Sequence, residues 1–175
     1  MNIEVRDKIR TIIKAKRLDL GLKLKEVTAK GGYQAGMISR LENGKFDFTI
    51  EALIQISRGL DLKLKDILVC LGIPTTFVEI ENEDLVSYEE LGLFLARCRT
   101  KKGLSLRKLS GLIGLNYKTI FRLEHNLNSR ISFTDIVSID KALEKNGELI
   151  SLAWRAGECH LGCNKLFKEI KKFDI

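Results

Sequence analysis

Proline is nearly absent from this chain: Pro74 is the one proline in 175 residues. Proline is frequent in collagen-like, proline-rich and many-turned β proteins, so its scarcity disfavours those architectures and favours a helical protein. Apolar runs are short as well, and none approaches the ~18 residues that span a membrane. The opening MNIEVRDKIR has no apolar stretch after its basic residues. We therefore expect no secretion signal and a cytoplasmic location.

Residues typical of catalytic and metal sites are also scarce. Two histidines, no glycine-rich phosphate loop and no recognised Ser/His/Asp spacing argue against an enzyme and against a bound cofactor. The four cysteines are expected to be reduced thiols. Near the end of the sequence, Cys159, His160 and Cys163 offer three soft ligands. Because C-x3-C is a loose spacing without a second cysteine pair, we expect an ordinary turn there rather than a metal site.

Charge is unevenly distributed along the chain, whose formal net charge is +7. Residues 1–70 carry 14 basic and 9 acidic side chains, residues 71–90 carry 6 acidic ones alone, and residues 91–175 carry 16 basic and 8 acidic ones. Two basic blocks therefore flank an acidic segment. This pattern fits two nucleic-acid-binding modules on a linker, although solvated helical surfaces are often mildly basic too.

The two basic blocks contain an internal repeat at an offset of 82 residues. Residues 21–44, GLKLKEVTAKGGYQAGMISRLENG, align without a gap with residues 103–126, GLSLRKLSGLIGLNYKTIFRLEHN. Farther along, one inserted residue brings Thr49 onto Ser132. Two copies of about 70 residues therefore cover most of the chain. The identical pairs are Gly21/Gly103, Leu22/Leu104, Leu24/Leu106, Gly32/Gly114, Ile38/Ile120, Arg40/Arg122, Leu41/Leu123 and Glu42/Glu124.

Each copy is expected to form five short helices, because apolar residues recur at i, i+3 and i+4. Ser87 and Glu90 form a capping box at the start of the second copy. Gly32 and Gly114 end the second helix of each copy, where a residue with positive φ is required. The expected helices are residues 6–19, 24–30, 35–43, 50–60 and 63–71, and in the second copy residues 88–102, 106–113, 117–125, 133–143 and 148–156.

Polar side chains are expected to cap the third and fourth helices of both copies. These caps are Gln34, Asn116, Thr49 and Ser132. Between the copies, residues 76–81 alternate apolar and polar side chains, which fits either a short strand or linker coil.

The second and third helices of each copy are separated by a short glycine turn, in a pattern that indicates a steep, close crossing. The position four residues before the turn glycine is small (Thr28, Ser110), and the positions six and nine after it are apolar. With the triplet Arg-Leu-Glu in SRLENG and FRLEHN, each copy resembles the helix-turn-helix of the Cro/phage-repressor (XRE) family. The resemblance covers residues 6–71 and 88–155.

The second copy departs from the family pattern at His125 and Asn126, where the family usually has Asn-Gly. Asparagine tolerates the left-handed conformation better than most residues. We therefore expect Asn126 to take the conformation that Gly44 supplies in the first copy.

The resemblance implies that the third helix of each copy lies in the DNA major groove, with its first turn and its middle facing base edges. Arg40 and Arg122 then either bond a guanine bidentately or hold a phosphate. Residues before the second helix and after the third touch phosphates. The implied base-facing residues are Gln34, Ala35, Gly36, Ser39 and Arg40, and Asn116, Tyr117, Lys118, Thr119 and Arg122; the implied phosphate contacts are Lys23, Asn43, Lys45 and Ser105.

Two ion pairs are also implied by the resemblance, Arg17 with Glu42 and Arg99 with Glu124. Each would join the first helix of a copy to its third. A half-buried bidentate pair fixes the angle between two helices, so we assign these four residues to stability rather than to DNA contact.

We therefore expect an all-α protein of two tandem five-helix, lambda-repressor-like domains, residues 1–71 and 87–156. An acidic linker, residues 72–86, joins them, and a basic amphipathic helix, residues 157–175, packs on the second domain or on a partner chain. The expected function is sequence-specific binding of double-stranded DNA by a transcriptional regulator, most simply a repressor, without a small-molecule effector or membrane contact. In the alternative, one copy binds DNA and the other holds a toxin or a second chain. A homodimer is left open.

Overall fold

A computed structural model of the chain describes residues 3–44, 47–76, 86–126 and 132–170, with the last described side chain at Cys163. These ranges contain ten α-helices and no β-strand. We call residues 3–76 the first half and residues 86–170 the second half. The helices are α1 (Ile3–Asp19), α2 (Leu24–Gly31), α3 (Ala35–Glu42), α4 (Ile50–Leu60), α5 (Leu64–Leu71), α6 (Tyr88–Lys101), α7 (Leu106–Ile113), α8 (Tyr117–Glu124), α9 (Phe133–Ala142) and α10 (Glu148–Ile170).

Side-chain caps set the start of several helices. The Ser87 hydroxyl accepts a hydrogen bond from the Glu90 amide, and the Glu90 carboxylate accepts one from the Ser87 amide, so α6 begins with the predicted capping box. Thr49 and Asn116 each accept a hydrogen bond from a first-turn amide of α4 and α8. These bonds satisfy amides that have no partner within the helix.

Two of the predicted caps are wrong. Gln34 and Ser132 occupy the N-cap positions of α3 and α9, but neither side chain accepts a capping hydrogen bond. The Ser132 hydroxyl instead donates to the Asp47 carboxylate of the first half, at 2.9 Å. The Ser132 hydroxyl therefore bonds a residue that is distant in sequence instead of capping its own helix.

Left-handed residues end the second helix of each half. Gly32 and Gly114 have φ of +80° and +69°, as predicted, and each amide donates to a carbonyl of the preceding helix. Gly44 and Asn126 follow the third helices with φ of +71° and +51°. Asn126 thus adopts the expected conformation at the position where the family pattern is broken.

Helix α10 corrects the prediction for the end of the chain. The expected helix over residues 148–156, the turn at Cys159–Cys163 and the separate helix from residue 157 are replaced by one 23-residue helix, Glu148–Ile170. It packs on α4, α6 and α9, and this long tertiary contact carries the helix through Gly157 and Gly162. Residues 45–46, 77–85 and 127–131 lie outside the described residues, and with them most of the acidic segment and the strand-or-coil alternative.

The helices of the two halves follow the same order and pack in the same pairs. In the first half α2 packs on α4 and α1 on α5, and in the second half α7 packs on α9 and α6 on α10. The apolar faces of these helices merge into one continuous core, which includes Ile9, Leu53, Leu95 and Ile139. The two halves therefore share a core instead of folding around two separate ones.

An interface between the halves forms at the start of α4 and α9. Thr49 and Ser132, the pair that the internal alignment places together, form an isolated antiparallel bridge. The Phe133 amide donates to the Phe48 carbonyl at 3.1 Å, and the two buried rings lie with centroids 6.2 Å apart. Buried aromatic pairs of this kind contribute about 1 kcal/mol beyond the area they bury.

Helix α10 extends this interface by crossing α4 closely at Gly157. A Cβ atom there would lie 2.7 Å from Ile54 Cδ1 and 2.8 Å from Ile50 Cγ2, closer than atoms pack. Beside it, the buried Tyr88 hydroxyl donates to Glu51 of α4. Burial and this bond raise the pKa of Tyr88, so the phenol stays protonated. Glycine is thus required where the second half meets the first.

We predict that Gly157→Leu weakens the contact between the halves. Overpacking a closed contact costs about 1–3 kcal/mol, whereas Gly162→Leu on the same helix meets no atom within 4 Å and gains the same helix propensity. Denaturant unfolding should therefore give a free energy of unfolding lower for Gly157→Leu than for Gly162→Leu by about 1–3 kcal/mol. Equal values for the two variants would contradict the close crossing.

Candidate nucleic-acid interface

Helices α2 and α3 form a compact helix-turn-helix, and α4 packs against α2. A Cβ on Gly31 would lie 2.0 Å from the Gln55 carbonyl oxygen, and one on Gly59 would lie 2.5 Å from the Val27 carbonyl oxygen. Two glycines, one on each helix, therefore allow the backbones of α2 and α4 to approach closely. Thr28 Oγ1 donates to the Leu24 carbonyl at 3.0 Å, so its hydroxyl is satisfied within α2.

The second half builds the equivalent unit from α7 and α8. The Ser110 hydroxyl, at the position of Thr28, donates across the turn to the Leu115 carbonyl at 2.5 Å. A Cβ on Gly92 of α6 would lie 2.7 Å from the Leu123 and Glu124 carbonyl oxygens. Glycine at this position lets α6 press against the end of α8.

The end of each third helix is tied to the first helix by the same four-atom contact. Arg17 donates from Nε and Nη2 to the two carboxylate oxygens of Glu42, at 2.7 and 2.8 Å, and Arg99 does the same to Glu124, at 2.6 and 2.8 Å. In each case Nη1 also donates to a carbonyl in the loop before the second helix, that of Leu22 at 3.0 Å in the first half and that of Leu104 at 2.7 Å in the second. One arginine thus joins three elements. We call this set of bonds the Arg–Glu clamp.

The clamp is largely withdrawn from solvent. The Glu42 and Glu124 side chains are 7% and 2% exposed, and the two arginines 13% and 12%. The bond to the carboxylate raises the pKa of Arg17 and of Arg99, against the opposing effect of burial. The charged groups of all four side chains are thus bonded within the fold, to one another and to a backbone carbonyl.

The clamps hold the third helices with most of the predicted base-facing residues in solvent. Ala35, Ser39 and Thr119 are half-buried. Lys45 lies outside the described residues. The exposed members of the predicted set are Lys23, Gln34, Gly36, Arg40, Asn43, Ser105, Asn116, Tyr117, Lys118 and Arg122.

Some of the predicted DNA-contact residues also form hydrogen bonds within the fold. The Ser105 hydroxyl accepts from the Lys108 amide at 3.1 Å and caps α7, and Asn116 Oδ1 accepts from the Lys118 amide at 2.9 Å and caps α8. Asn43 Nδ2 donates to the Ser39 carbonyl at 2.8 Å. These bonds leave the Asn116 amide group and the Asn43 Oδ1 atom facing solvent.

Two exposed aromatic groups of the second half were missed by the sequence argument. Phe121 stands where the first half has Ser39, and His125 stands where it has Asn43. His125 Nδ1 donates to the Phe121 carbonyl at 2.9 Å, which is the bond that Asn43 makes in the first half. The departure from the family pattern at His125 thus keeps the same backbone bond. The internal alignment pairs Phe121 with Ser39 and His125 with Asn43. The difference between the paired side chains was therefore already visible in the sequence.

The cysteines at the end of the chain lie on α10 and form no metal cluster with neighbours. Among the described residues, no three His, Cys, Asp or Glu side chains are arranged to hold a metal ion. Burial and the neighbouring Cys163 raise the pKa of Cys159. None of the helices in the described ranges is long and apolar enough to cross a membrane.

Comparison with known proteins identifies part of this arrangement. Residues 13–67 match a helix-turn-helix family model. The match runs from the middle of α1 into α5 and therefore includes α2, the glycine turn and α3. This family consists of DNA-binding regulators of transcription and not of enzymes, which indicates double-stranded DNA as the partner. No curated protein matches the chain, and no solved structure does.

We predict that Glu42→Ala destabilises the fold by about 3 kcal/mol or more, because it leaves the Arg17 guanidinium unpaired where little water reaches it. Glu124→Ala should cost at least as much, since its side chain is the more deeply buried. Glu4→Ala is the control: that carboxylate is 76% exposed, and its removal should change the free energy of unfolding by less than about 0.5 kcal/mol. Denaturant unfolding checks all three. An unchanged midpoint for Glu42→Ala, with DNA binding lost instead, would reassign Glu42 to DNA contact.

Proposed function

We propose that the protein is a sequence-specific regulator of transcription that binds double-stranded DNA through both halves, and that it acts most simply as a repressor by occupying its site. Helices α3 and α8 are the recognition helices. The base-facing residues are Gln34, Ala35, Gly36, Ser39 and Arg40 in the first half and Asn116, Tyr117, Lys118, Thr119 and Arg122 in the second, with Lys23, Asn43, Lys45 and Ser105 on phosphates.

The Arg–Glu clamp is the observation that supports extending DNA binding to the second half. The family match ends at residue 67, yet residues 88–126 repeat the clamp bond for bond, to the same carboxylate oxygens and to the equivalent carbonyl. Because the clamp sets the angle of the third helix, α8 is presented as α3 is. Two helices presented in the same way fit two successive half-sites.

The bridge between Thr49 and Ser132 supports a fixed relation between those half-sites. An antiparallel bridge between equivalent residues is what a local twofold axis produces. Symmetric dimers of helix-turn-helix proteins read two half-sites about one helical turn apart. We infer that this chain is a covalent pseudo-dimer, with the interface between its halves standing where two chains otherwise meet.

A second function has its own support. The second half exposes Leu112, Tyr117 and Phe121, with Leu112 66% exposed, whereas the first half has Lys30, Ala35 and Ser39 at these positions. A protein-interaction surface on the second half, with DNA bound by the first half alone, accounts for those side chains. The length of the DNA footprint separates this function from the pseudo-dimer.

The pseudo-dimer predicts a footprint of about 20 base pairs per chain, two helical turns, and a single DNA-binding half predicts about half of that. Affinity should also fall steeply with salt, with a slope of log K against log[salt] steeper than about −4, because each neutralised phosphate contributes ~0.9. Footprinting and a salt titration measure the two quantities. A footprint of about ten base pairs would indicate that the second half contacts a protein and not DNA. An affinity that does not change with salt would indicate that DNA is not the partner.

We predict different effects for the two basic residues of α8. Arg122→Ala should relax the base preference at one position of the site, because a bidentate Arg–guanine pair discriminates by about 1–3 kcal/mol. Lys118→Ala should weaken all sequences alike and reduce the salt slope by about one. Arg40→Ala is the matched variant in α3 and should alter the other half-site. Selection from a random duplex pool with each variant is the measurement, and an unchanged motif for Arg122→Ala would contradict base reading by α8.

A further inference from the structure

Helix α8 carries exposed aromatic side chains where a DNA-reading helix is expected to be polar. Tyr117 and Phe121 are 40% and 41% exposed and stand four residues apart, on one face of the helix. The Phe121 ring stacks on His125, with centroids 4.1 Å apart and planes inclined by 26°. Two rings on one face of an eight-residue helix form an apolar surface that remains partly open to solvent.

The equivalent face of α3 is built from different side chains. Ala35, Ser39 and Asn43 occupy the positions of Tyr117, Phe121 and His125. Asn43 and His125 nonetheless donate to equivalent backbone carbonyls, at 2.8 and 2.9 Å. The corresponding faces of α3 and α8 therefore present different side chains to solvent.

The charges around the aromatic face fit a polyanion. Between Lys102 and Asn126 the chain carries five basic residues, Lys102, Arg107, Lys108, Lys118 and Arg122, and one acidic residue, Glu124. That one carboxylate is held by Arg99 in the clamp. Arg107 also lies over the Tyr117 ring, 5.8 Å from its centroid. Lys102 is paired with Glu144 at 3.0 Å, and the other four basic residues border the apolar strip with positive charge. Such a strip suits a DNA groove better than a partner protein.

We propose that Phe121, oriented by its stack on His125, contacts the C5-methyl group of a thymine in the major groove, and that the DNA site therefore has two unlike halves. This inference rests on the proposed function of the second half. The thymine methyl is the one apolar group that the major groove offers, and phenylalanine is among the side chains that read it. Ser39, at the same place in α3, can read a hydrogen-bonding group instead.

The stack explains why Phe121 can carry sequence information. A free side chain on a helix surface samples several rotamers, and ordering one costs free energy on binding. His125 is itself held by its bond to the Phe121 carbonyl, so the two rings restrain each other before DNA arrives. Asn43 makes the same backbone bond without a ring, and its Nδ2 also donates to the Ser39 hydroxyl at 3.5 Å.

The test begins with the full chain and selection from a random duplex pool. The wild-type protein should select a site with unlike halves, and Arg122→Ala identifies the half that α8 reads. Each thymine of that half is then replaced by deoxyuridine, which removes the methyl group alone. At one position the replacement should weaken wild-type binding about fourfold, the factor that corresponds to losing one buried methyl-sized group at ~0.8 kcal/mol.

Two variants and one control complete the cycle. For Phe121→Ser, thymine and deoxyuridine should bind equally at that position, because the contact is already gone. For His125→Asn, which keeps the backbone bond as in the first half, the methyl effect should shrink. Ser39→Ala is the control at the equivalent position of α3 and should leave the fourfold effect intact. Phe121 is exposed, so its replacement is compatible with folding, which thermal melting checks.

Each outcome has one meaning. A methyl effect of equal size in wild type and in Phe121→Ser overturns the inference while leaving the proposed function in place. Unchanged DNA affinity and motif for Phe121→Ser also overturn it, and assign the aromatic face to protein contact. A wild-type chain that selects no sequence at all removes the proposed function itself.

Discussion

The orientation of each third helix depends on one arginine that bonds a glutamate and a carbonyl at the same time. Arg17 joins α1, Leu22 in the loop before α2 and the end of α3. Arg99 likewise joins α6, Leu104 in the loop before α7 and the end of α8. Water is largely excluded from both pairs, so losing one partner strands a charge, and the geometry is held firmly. With the third helices held in this orientation, α2 and α4 cross closely at Gly31 and Gly59, and α6 meets the end of α8 closely at Gly92.

The interface between the halves turns two such units into a single body. The Thr49–Ser132 bridge, the Phe48–Phe133 contact and the crossing of α10 over α4 at Gly157 all join residues of the first half to residues of the second. Asp47 adds hydrogen bonds from Ser132 and Thr134 of the second half, at 2.9 and 3.0 Å. A shared core keeps the distance between α3 and α8 constant, which a flexible linker between separate domains does not.

The third helices of the two halves carry different side chains at equivalent positions. Replacing Ser39 and Asn43 by Phe121 and His125 changes what the helix offers to a partner and leaves the backbone bond at its end intact. Because the two halves belong to one chain, a change in one half need not appear in the other. A dimer of identical chains presents the same helix twice and has no such freedom.

Local patterns in the amino-acid sequence were sufficient for most of the helices, the turns at Gly32 and Gly114 and the left-handed Asn126. The two Arg–Glu pairs, whose partners are 25 residues apart, were instead implied by the family resemblance. Apolar spacing and capping act within a few residues, so they can be read without knowing the fold. The continuous α10, the diversion of Ser132 to Asp47 and the contact of Thr49 with Ser132 could not be read in that way. Each depends on which apolar surfaces cover one another, and periodicity shows that a face is buried without showing which face it meets.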